Sequence, residues 1–441
     1  MMNNARLRVS SVTALSVVLL LTSISLFAAL AGCGEETAAG NDACADCHAD
    51  VTPGIVEQWR DSRHGDQDVG CLDCHQAAAE DADAFEHNGE TIAIIVSPAD
   101  CANCHIDEVE QFSGSHHAQA AQFTGSLDNF LGVAVEGYPA AVQGCQQCHG
   151  GTVTVTENGQ LDPETWPNTG MGRVNPDGSM GSCSACHARH EFSRAQAREP
   201  ESCGKCHVGP DHPQLEVFME SKHGILYEAN REEMNLESDS WVVGEDYSAA
   251  PTCATCHMSA TPGQETTHDI GTRISWTLRP VVSKKFDNWE EKRASMVDVC
   301  TQCHSSSYVG DFYSQFDNSV ELYNNKFAIP AKAIMEELQA DGLVSATPFD
   351  DKIEWTYFEL WHHEGRRARH GAAMAGPDYV QWLGFYEVAD NFYNQFLPEA
   401  EALKPGISQQ VLAEDYHKWR QGLSEEEMQQ LLQFYEERYD Q

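Results

Sequence analysis

The pentapeptide CADCH at residues 44–48 opens the series that decides the fold of this chain. Two cysteines separated by two residues and followed at once by histidine recur seven more times, ending with CTQCH at 300–304. The sixteen cysteines of these motifs are Cys44, Cys47, Cys71, Cys74, Cys101, Cys104, Cys145, Cys148, Cys183, Cys186, Cys203, Cys206, Cys253, Cys256, Cys300 and Cys303. The histidines that follow are His48, His75, His105, His149, His187, His207, His257 and His304. The chain has 17 cysteines, and the one outside the series is Cys33.

This spacing has a chemical reason. Two thiols three positions apart reach the two vinyl groups of one haem, and the next histidine then lies beneath the iron as its proximal ligand. A single copy could also be a redox dithiol or half of a zinc site. A disulfide framework would not place histidine after every second cysteine. Eight copies therefore predict eight covalently bound haem c groups, each with its iron.

The remaining histidines are the candidates for ligands on the opposite haem faces. The chain has 20 histidines, so twelve lie outside the motifs. A bis-histidine haem carries electrons, whereas a haem without a second histidine is open to substrate. His87 and His417 stand in acidic or polar surroundings, and we predict that both are solvated.

The N-terminus predicts export. Arg6 and Arg8 precede an apolar run that ends in Leu30-Ala31-Gly32-Cys33, which has the form of a signal sequence with a lipobox over residues 1–33. The alternative is an uncleaved membrane anchor. We expect a lipid on Cys33, a flexible tether over 34–43, and a protein on the periplasmic side or at the outer membrane. The formal net charge of −41 argues against nucleic acid as a partner and suits either general solubility or a basic electron partner.

The rest of the chain predicts a mainly α multihaem cytochrome with a haem-packed core and long C-terminal helices. Residues 44–310 form the expected octahaem region, because no interval between motifs is long enough for an apolar core of its own. Residues 151–182 are rich in Gly, Asn, Pro and Thr and predict a loop. Residues 311–441 form the expected helical region, with apolar spacing typical of helices over 320–340, 351–403 and 424–440.

The motif count and several stretches resemble the octahaem hydroxylamine oxidoreductase family. These stretches are CHVGPDHPQLE at 206–216, ESKHG at 220–224, THDIGTRISWTLRP at 267–280 and RHGAAMAGPDYVQW at 369–382. The resemblance implies seven bis-histidine haems and an open fourth haem held by the motif at 145–149. It implies distal ligands from His64, one of His116 and His117, His212, His223, His268, one of His362 and His363, and His370.

The resemblance also implies catalytic residues. His190 is similar in its offset from the fifth motif to a pocket residue of related nitrite reductases, and we expect it to be the base above the fourth haem. Tyr247 resembles a second pocket residue. Tyr379 resembles the tyrosine that crosslinks to the catalytic haem of a neighbouring subunit, although Tyr386 and Tyr393 lie close by. This crosslink would favour oxidation, whereas Arg189 would favour an anion and reduction.

The expected function is hydroxylamine oxidation at the fourth haem, with electrons passed along the other haems. Reduction of nitrite or hydroxylamine at the same haem is the enzymatic alternative, and a non-catalytic electron conduit is the other. The expected partners are a small nitrogen substrate and a cytochrome or quinone-linked electron partner. The resemblance implies a homotrimer, for which the C-terminal helices could provide the interface.

Overall fold

The computed structural model describes residues 38–123 and 127–439, with side chains described from 43 to 122 and from 129 to 438. The lipobox with Cys33 lies outside the described residues. The first helix, Ala38–Val51, begins inside the segment expected to be a flexible tether and runs through the first motif. The first motif is therefore part of a helix that starts before it.

The motif region consists of short helices joined by turns. Its helices are Ala38–Val51, Pro53–Arg60, Arg63–Asp66, Cys71–His75, Pro98–Cys101, Ile106–Ser113, Ala120–Phe123, Leu127–Phe130, Tyr138–Gln143, Cys145–His149, Arg194–Arg198, Pro200–Gly204, Gln214–Glu220, Lys222–Ala229, Cys253–His257 and Trp289–Cys300. A π-helical segment covers Leu131–Gly137, and 3-10 turns cover Cys183–Ala185 and Arg231–Met234. Helices this short cannot bury much apolar surface on their own, so they need another core to pack around.

Two small antiparallel hairpins complete this region. Phe85–His87 pairs with Glu90–Ile92, and Trp276–Thr277 pairs with Lys284–Lys285. The segment 151–182 contains isolated bridges such as Thr152 to Val174 but none of the named helices or strands, as its composition predicts. It is folded back by the buried Arg173, whose guanidinium donates to the Asn168 and Val96 carbonyls at 3.2 and 3.0 Å.

The C-terminal part is built from longer, nearly continuous helices. Its α-helical segments are Ser306–Tyr323, Ile329–Ala340, Lys352–Phe358, Gly365–Ala373, Pro377–Val380, Glu387–Asn391, Leu397–Leu403, Gln409–Leu412 and Glu425–Tyr439. π-helical segments at Asn324–Ala328, Glu359–Glu364, Gln381–Tyr386 and Phe392–Phe396 join several of them, and Asp415–Gln421 is a 3-10 helix. The helices predicted over 320–340 and 351–403 are thus present, with a break at 374–376.

An apolar core lies among these C-terminal helices. Tyr323, Leu338, Leu360, Phe392 and Phe396 are all fully buried in one cluster. His417 is also fully buried, where its Nδ1 lies 2.7 Å from the Tyr393 hydroxyl. The prediction of a solvated His417 is therefore wrong. Its polar sequence neighbours face outward while the imidazole turns into this core.

The last helix stands apart from the core. Ser424 and Glu427 form the predicted capping box, with the Glu427 amide 3.2 Å from the Ser424 hydroxyl. The apolar positions Met428, Leu431, Leu432 and Tyr435 are roughly half exposed. Within the described residues, none of the helices has the length and apolar character that a membrane crossing requires. The prediction of a mainly α architecture is confirmed.

Candidate haem-binding and substrate site

The motif cysteines lie beside one another in pairs drawn from different motifs. Several of them lie close to a cysteine of another motif. Three pairs have their side chains next to each other, which are Cys101 with Cys183, Cys148 with Cys206, and Cys203 with Cys253. Electrostatic interactions join four further pairs, which are Cys44 with Cys71, Cys74 with Cys101, Cys186 with Cys203, and Cys256 with Cys300.

These contacts order the motifs in space. Motifs one, two, three, five, six, seven and eight form one continuous series, and motif four attaches to it at motif six through Cys148 and Cys206. Haems held at neighbouring motifs would be close enough to exchange electrons. Motif six is the junction, since motifs four, five and seven all meet it.

Facing pairs of imidazoles test whether haem fits between them. Two nitrogens bound to opposite faces of one iron lie about 4 Å apart, and each ring centre is about 1 Å behind its nitrogen, so the centres should be about 6 Å apart. Five motif histidines have a partner at this spacing. The pairs and distances are His48–His87 at 6.1 Å, His75–His190 at 6.4 Å, His105–His64 at 6.2 Å, His207–His117 at 6.2 Å and His304–His223 at 6.0 Å.

Apolar side chains around the motifs fit the same group. Val51, Ile106, Ile225 and Tyr308 follow shortly after His48, His105, His223 and His304, and each is more than half exposed in the protein chain alone. The flat apolar porphyrin would cover such side chains. Together with the imidazole spacing, they show that these residues suit haem.

A repeated local motif positions two of the partner histidines. Ser62 and Ser221 each cap a short helix, accepting from the amides of Gly65 and Gly224 at 3.1 and 3.2 Å. The histidine therefore sits in the first turn of its helix in both cases. A Cβ on Gly224 would lie 2.1 Å from the Phe218 carbonyl oxygen. Glycine is therefore needed here, because the backbone at 224 lies directly against the backbone at 218.

Two histidines face motif histidines that the sequence did not assign to them. His190, expected as the pocket base above the fourth haem, faces His75 of the second motif. His87 is exposed on its hairpin, as predicted, and its ring also faces that of His48. Both positions have the geometry of a distal ligand, which spacing along the sequence does not reveal.

His212 also departs from its expected role as a ligand. Its Nε2 donates to the Cys206 carbonyl at 2.7 Å, and its Nδ1 lies 2.5 Å from the Asp211 carboxylate. Two acceptors at the two nitrogens require a proton on each, which leaves no lone pair for iron. Burial lowers the pKa of His212, but the hydrogen bond and charge of Asp211 outweigh burial, so that its pKa is raised.

Asp211 joins His212 to the C-terminal helices. Its other oxygen lies 3.1 Å from Arg366 and 3.9 Å from the Nε2 of His362. Burial would raise the pKa of this carboxyl, but His212, His362 and Arg366 together hold it well below its usual range. Sequence reasoning missed Asp211 and Arg366, although the adjacent letters DH at 211–212 already paired a carboxylate with a histidine.

The Asp211–His212 pair lies beside the junction of motifs four and six. His212 interacts electrostatically with Cys148 of motif four, and its ring centre is 6.1 Å from that of His207 in motif six. His207 in turn interacts with His149 of motif four. An ionised acid and a protonated imidazole therefore stand next to the motif that was expected to hold the open haem.

The two tyrosines expected at the site are both buried. Tyr247 stacks on Trp241 with ring centres 4.5 Å apart, and its hydroxyl bonds the hydroxyls of Thr255 and Ser259 at 2.9 and 3.0 Å. This arrangement is structural, because the hydroxyl is already satisfied, and it differs from the expected pocket role. Tyr379 is 9% exposed, and burial, Glu220 and Glu216 raise its pKa. Its crosslink stays a prediction.

The other expected ligands fall into two groups. His268 interacts electrostatically with His187 of motif five, so the two lie near each other, and its ligand role stays a prediction. His116 contacts Phe286, so of the two neighbouring histidines His117 is the one with ligand geometry. His362, His363 and His370 lie on the helical stretch beside Asp211 and Arg366. Their ligand roles stay predictions.

The fold and the paired imidazoles define a multihaem cytochrome of the c type. A family profile described as "Seven times multi-haem cytochrome CxxCH" matches residues 67–348, and the chain belongs to this family. It therefore binds covalently attached haem c.

Similar proteins are known from sequence. A probable nitrite reductase-hydroxylamine oxidoreductase fusion protein of Kuenenia stuttgartiensis is 26% identical over 360 residues, which are 70% of this chain and 39% of the fusion protein. The C-type polyheme cytochrome OmcB of Geobacter sulfurreducens is 34% identical over 116 residues, which are 21% of this chain and 14% of that protein. The chain thus spans well under half of these relatives.

Solved structures share the fold. A hypothetical multiheme protein superposes with a TM-score of 0.75 at 27% identity, covering 82% of this chain and 96% of that one. The reducing HAO-like protein complex of Kuenenia stuttgartiensis gives a TM-score of 0.62 at 23% identity, covering 85% and 87% of the two chains. The chain is therefore a multihaem redox protein or electron-transfer protein by both fold and family.

Proposed function

We propose that this protein is an octahaem oxidoreductase that oxidises hydroxylamine at the haem of motif four. The observation that carries the proposal is the contact between Asp211 and His212 next to Cys148 of that motif. An electron conduit of bis-histidine haems has no need for a buried acid–imidazole pair at one motif. A similar protein, the probable nitrite reductase-hydroxylamine oxidoreductase fusion protein of Kuenenia stuttgartiensis, is consistent with this substrate class.

Cys145, Cys148 and His149 would hold the catalytic haem. When bound, that haem supplies an iron with an open coordination position and a path for the electrons. Oxidation of hydroxylamine to nitrite releases protons together with electrons, so the site must also accept protons. The protein supplies this function through side chains beside the haem.

His212 is the proposed proton carrier. Its proton at Nδ1 is shared with Asp211, so Asp211 keeps the imidazole oriented and stabilises its charged form. Arg366 at 3.1 Å fixes the carboxylate in its ionised state. A carboxylate held in this way stays ionised, orients the imidazole and stabilises its protonated form. His212 would therefore pass on its Nε2 proton before it takes up the next proton released by the substrate.

The test compares Asp211→Asn and His212→Gln with an exposed control, Asp50→Asn. We expect both site variants to lose hydroxylamine turnover with an artificial acceptor by at least about a hundredfold, while their haem content and cyanide-induced spectral shift persist. Unchanged turnover in both variants would overturn the role of the pair. A wild-type protein whose haem spectrum shifts with neither cyanide nor nitrite would support the conduit instead.

Reduction of nitrite or hydroxylamine at the same haem is the second candidate. Arg366 favours it, because a guanidinium beside the site attracts an anion. His190, the expected pocket base, faces the second motif instead, and its neighbour Arg189 goes with it. Turnover measured in both directions with the same preparation decides between them. Faster reduction of nitrite with a low-potential donor would select the reductive function.

The remaining expectations are part of the proposal. His87, His190, His64, His117, His223 and His268 are the proposed distal ligands for motifs one, two, three, six, eight and five. A homotrimer with Tyr379 crosslinked to a neighbour's haem, a lipid on Cys33 and a periplasmic or outer-membrane position complete it. Haem counting by intact mass of the purified protein tests the number eight.

The proposed electron partner is a basic cytochrome that docks near motif one. Residues 44–95 contain twelve acidic residues and two arginines, and every acidic residue among them except Asp83 is exposed. Motif one is an end of the motif series, and Cys47 is exposed there. An acidic face at an electron exit would attract a lysine-rich partner over a distance set by ionic strength.

A further inference from the structure

A cavity of about 400 Å³ lies among the C-terminal helices. It is bounded by the helix Ile329–Ala340, the turn over 341–351 and the helix Lys352–Phe358. Its lining includes Phe349, Glu354, Tyr357, Phe358 and Trp361. None of the lining residues is a cysteine or a histidine, so none of them could attach or ligate a haem.

The lining has a distinctive chemistry. Phe349, Tyr357, Phe358 and Trp361 contribute four aromatic side chains. Glu354 is the one charged residue among the lining side chains, and its carboxylate lies within 4.8 Å of those of Asp350 and Asp351. Aromatic faces together with a carboxylate favour a cation that is also apolar, because the ring quadrupoles attract positive charge and the rings exclude water.

The walls are held in place without a ligand. The Trp355 indole donates to the Phe349 carbonyl at 2.9 Å, and the Phe349 ring packs at 5.2 Å against that of Phe358. The Asp351 amide donates to Glu354 at 3.2 Å, which fixes this carboxylate at the start of its helix. A preformed cavity loses little conformational entropy when it binds a ligand.

We propose that this cavity binds a small organic cation of the alkylammonium class. Glu354 would provide the counter-charge, and the four aromatic side chains would surround the alkyl groups. The three neighbouring carboxylates repel one another, and a bound cation would relieve that repulsion. The cavity adjoins the candidate site, because Phe358 stacks on His362 at 4.1 Å and the Nε2 of His362 lies 3.9 Å from Asp211.

The experiment titrates haem-loaded, full-length protein with choline in a calorimeter. Its neutral isostere 3,3-dimethyl-1-butanol, which has the same shape without the charge, is the matched ligand control. We expect saturable binding of choline and at least about tenfold weaker binding of the isostere. Equal affinities would overturn the proposal, since shape alone would then account for binding, and so would the absence of choline binding.

Two variants locate the binding. Glu354→Gln removes the charge, and Trp361→Leu removes an aromatic wall; the exposed Trp382→Leu is the control for loss of a tryptophan. We expect both cavity variants, and not the control, to weaken choline binding about tenfold or more. Glu354 also accepts from the Asp351 amide at the start of its helix, so its replacement could impair folding. The Trp361 variant keeps the test valid in that case. A calcium titration is the last control. If calcium blocks choline binding in wild type and still binds the Trp361→Leu variant, a metal occupies the carboxylates and the proposal is overturned.

Discussion

The imidazole of His190 faces that of His75 with ring centres 6.4 Å apart. This spacing is the one expected when an iron lies between two histidines. His190 therefore belongs to the second motif, and its loss should affect that haem. The Nδ1–H of His75 donates to the Ala93 carbonyl at 2.8 Å, which orients the ring from behind.

We expect His190→Ala to convert one low-spin haem to a high-spin haem that binds cyanide. Electron paramagnetic resonance of the oxidised protein measures this conversion. Hydroxylamine turnover should keep the pH profile of wild type, because the proton carrier is elsewhere. A low-spin spectrum identical to wild type, with an altered pH profile, would instead make His190 a pocket base.

Tyr247→Phe should affect stability more than catalysis. The substitution removes a hydroxyl that bonds Thr255 and Ser259 in a buried cluster, at a cost of about 1–2 kcal/mol in the free energy of unfolding. Thermal unfolding measures the cost. Turnover reduced by an order of magnitude at unchanged stability would contradict the structural role.

His417→Gln should remove part of the loss of stability at acidic pH. Burial is the main cause that lowers the pKa of His417, with a smaller contribution from Lys326. The folded state therefore resists protonation while the unfolded chain takes up a proton as the pH falls below about 6.5. The contribution of His417 to stability is present above this pH and is lost as the pH falls towards its folded pKa.

Melting temperatures measured between pH 7.5 and pH 5 test this expectation. The difference in melting temperature between wild type and the variant should shrink on acidification. A difference independent of pH would mean that His417 is not the titrating group.

Tyr379→Phe tests the crosslink. If the wild type forms a covalent trimer, a haem-stained denaturing gel shows a band at trimer mass, and the variant should show only monomer. Tyr386→Phe is the matched control, since Tyr386 is in the same stretch but is 54% exposed. Wild-type protein that runs only as monomer would remove the argument for oxidation that rests on Tyr379.

Reversal of four charges at Asp50, Glu57, Asp61 and Asp66 to lysine should weaken association with mitochondrial cytochrome c, a lysine-rich probe. The effect should be largest at low salt and fade as ionic strength rises. The matched control reverses Glu425, Glu426, Glu436 and Glu437, which changes the net charge equally on a distant, exposed helix. Equal weakening by both sets would show that net charge, and not this face, attracts the probe.

Local chemistry made part of this protein predictable. The CxxCH spacing is dictated by the haem itself, so the motif cysteines and proximal histidines could be identified from sequence alone. Ser424 and Glu427 likewise revealed a helix start, because capping depends on neighbours in the chain. The long C-terminal helices followed from their apolar period.

The distal partners were less predictable, because they are chosen by tertiary packing. His87 lies in an acidic hairpin and His417 in a polar segment, yet one faces a motif histidine and the other is fully buried. His212 resembled a ligand until the structure showed Asp211 and the Cys206 carbonyl at its two nitrogens. Identity and spacing do not say which atoms a side chain meets.

Motif six is the point at which the series of motifs branches. Under the proposed function, electrons released at motif four would reach motif six and could then pass towards motif one through motifs five, three and two, or towards motif eight through motif seven. The two branches differ in length. The relative reduction potentials of the haems at motifs five and seven would set the share of electrons that each branch receives. A protein with this branched arrangement could reduce two acceptors at opposite ends. It could also keep electrons on one branch while the haems of the other branch pass their electrons on.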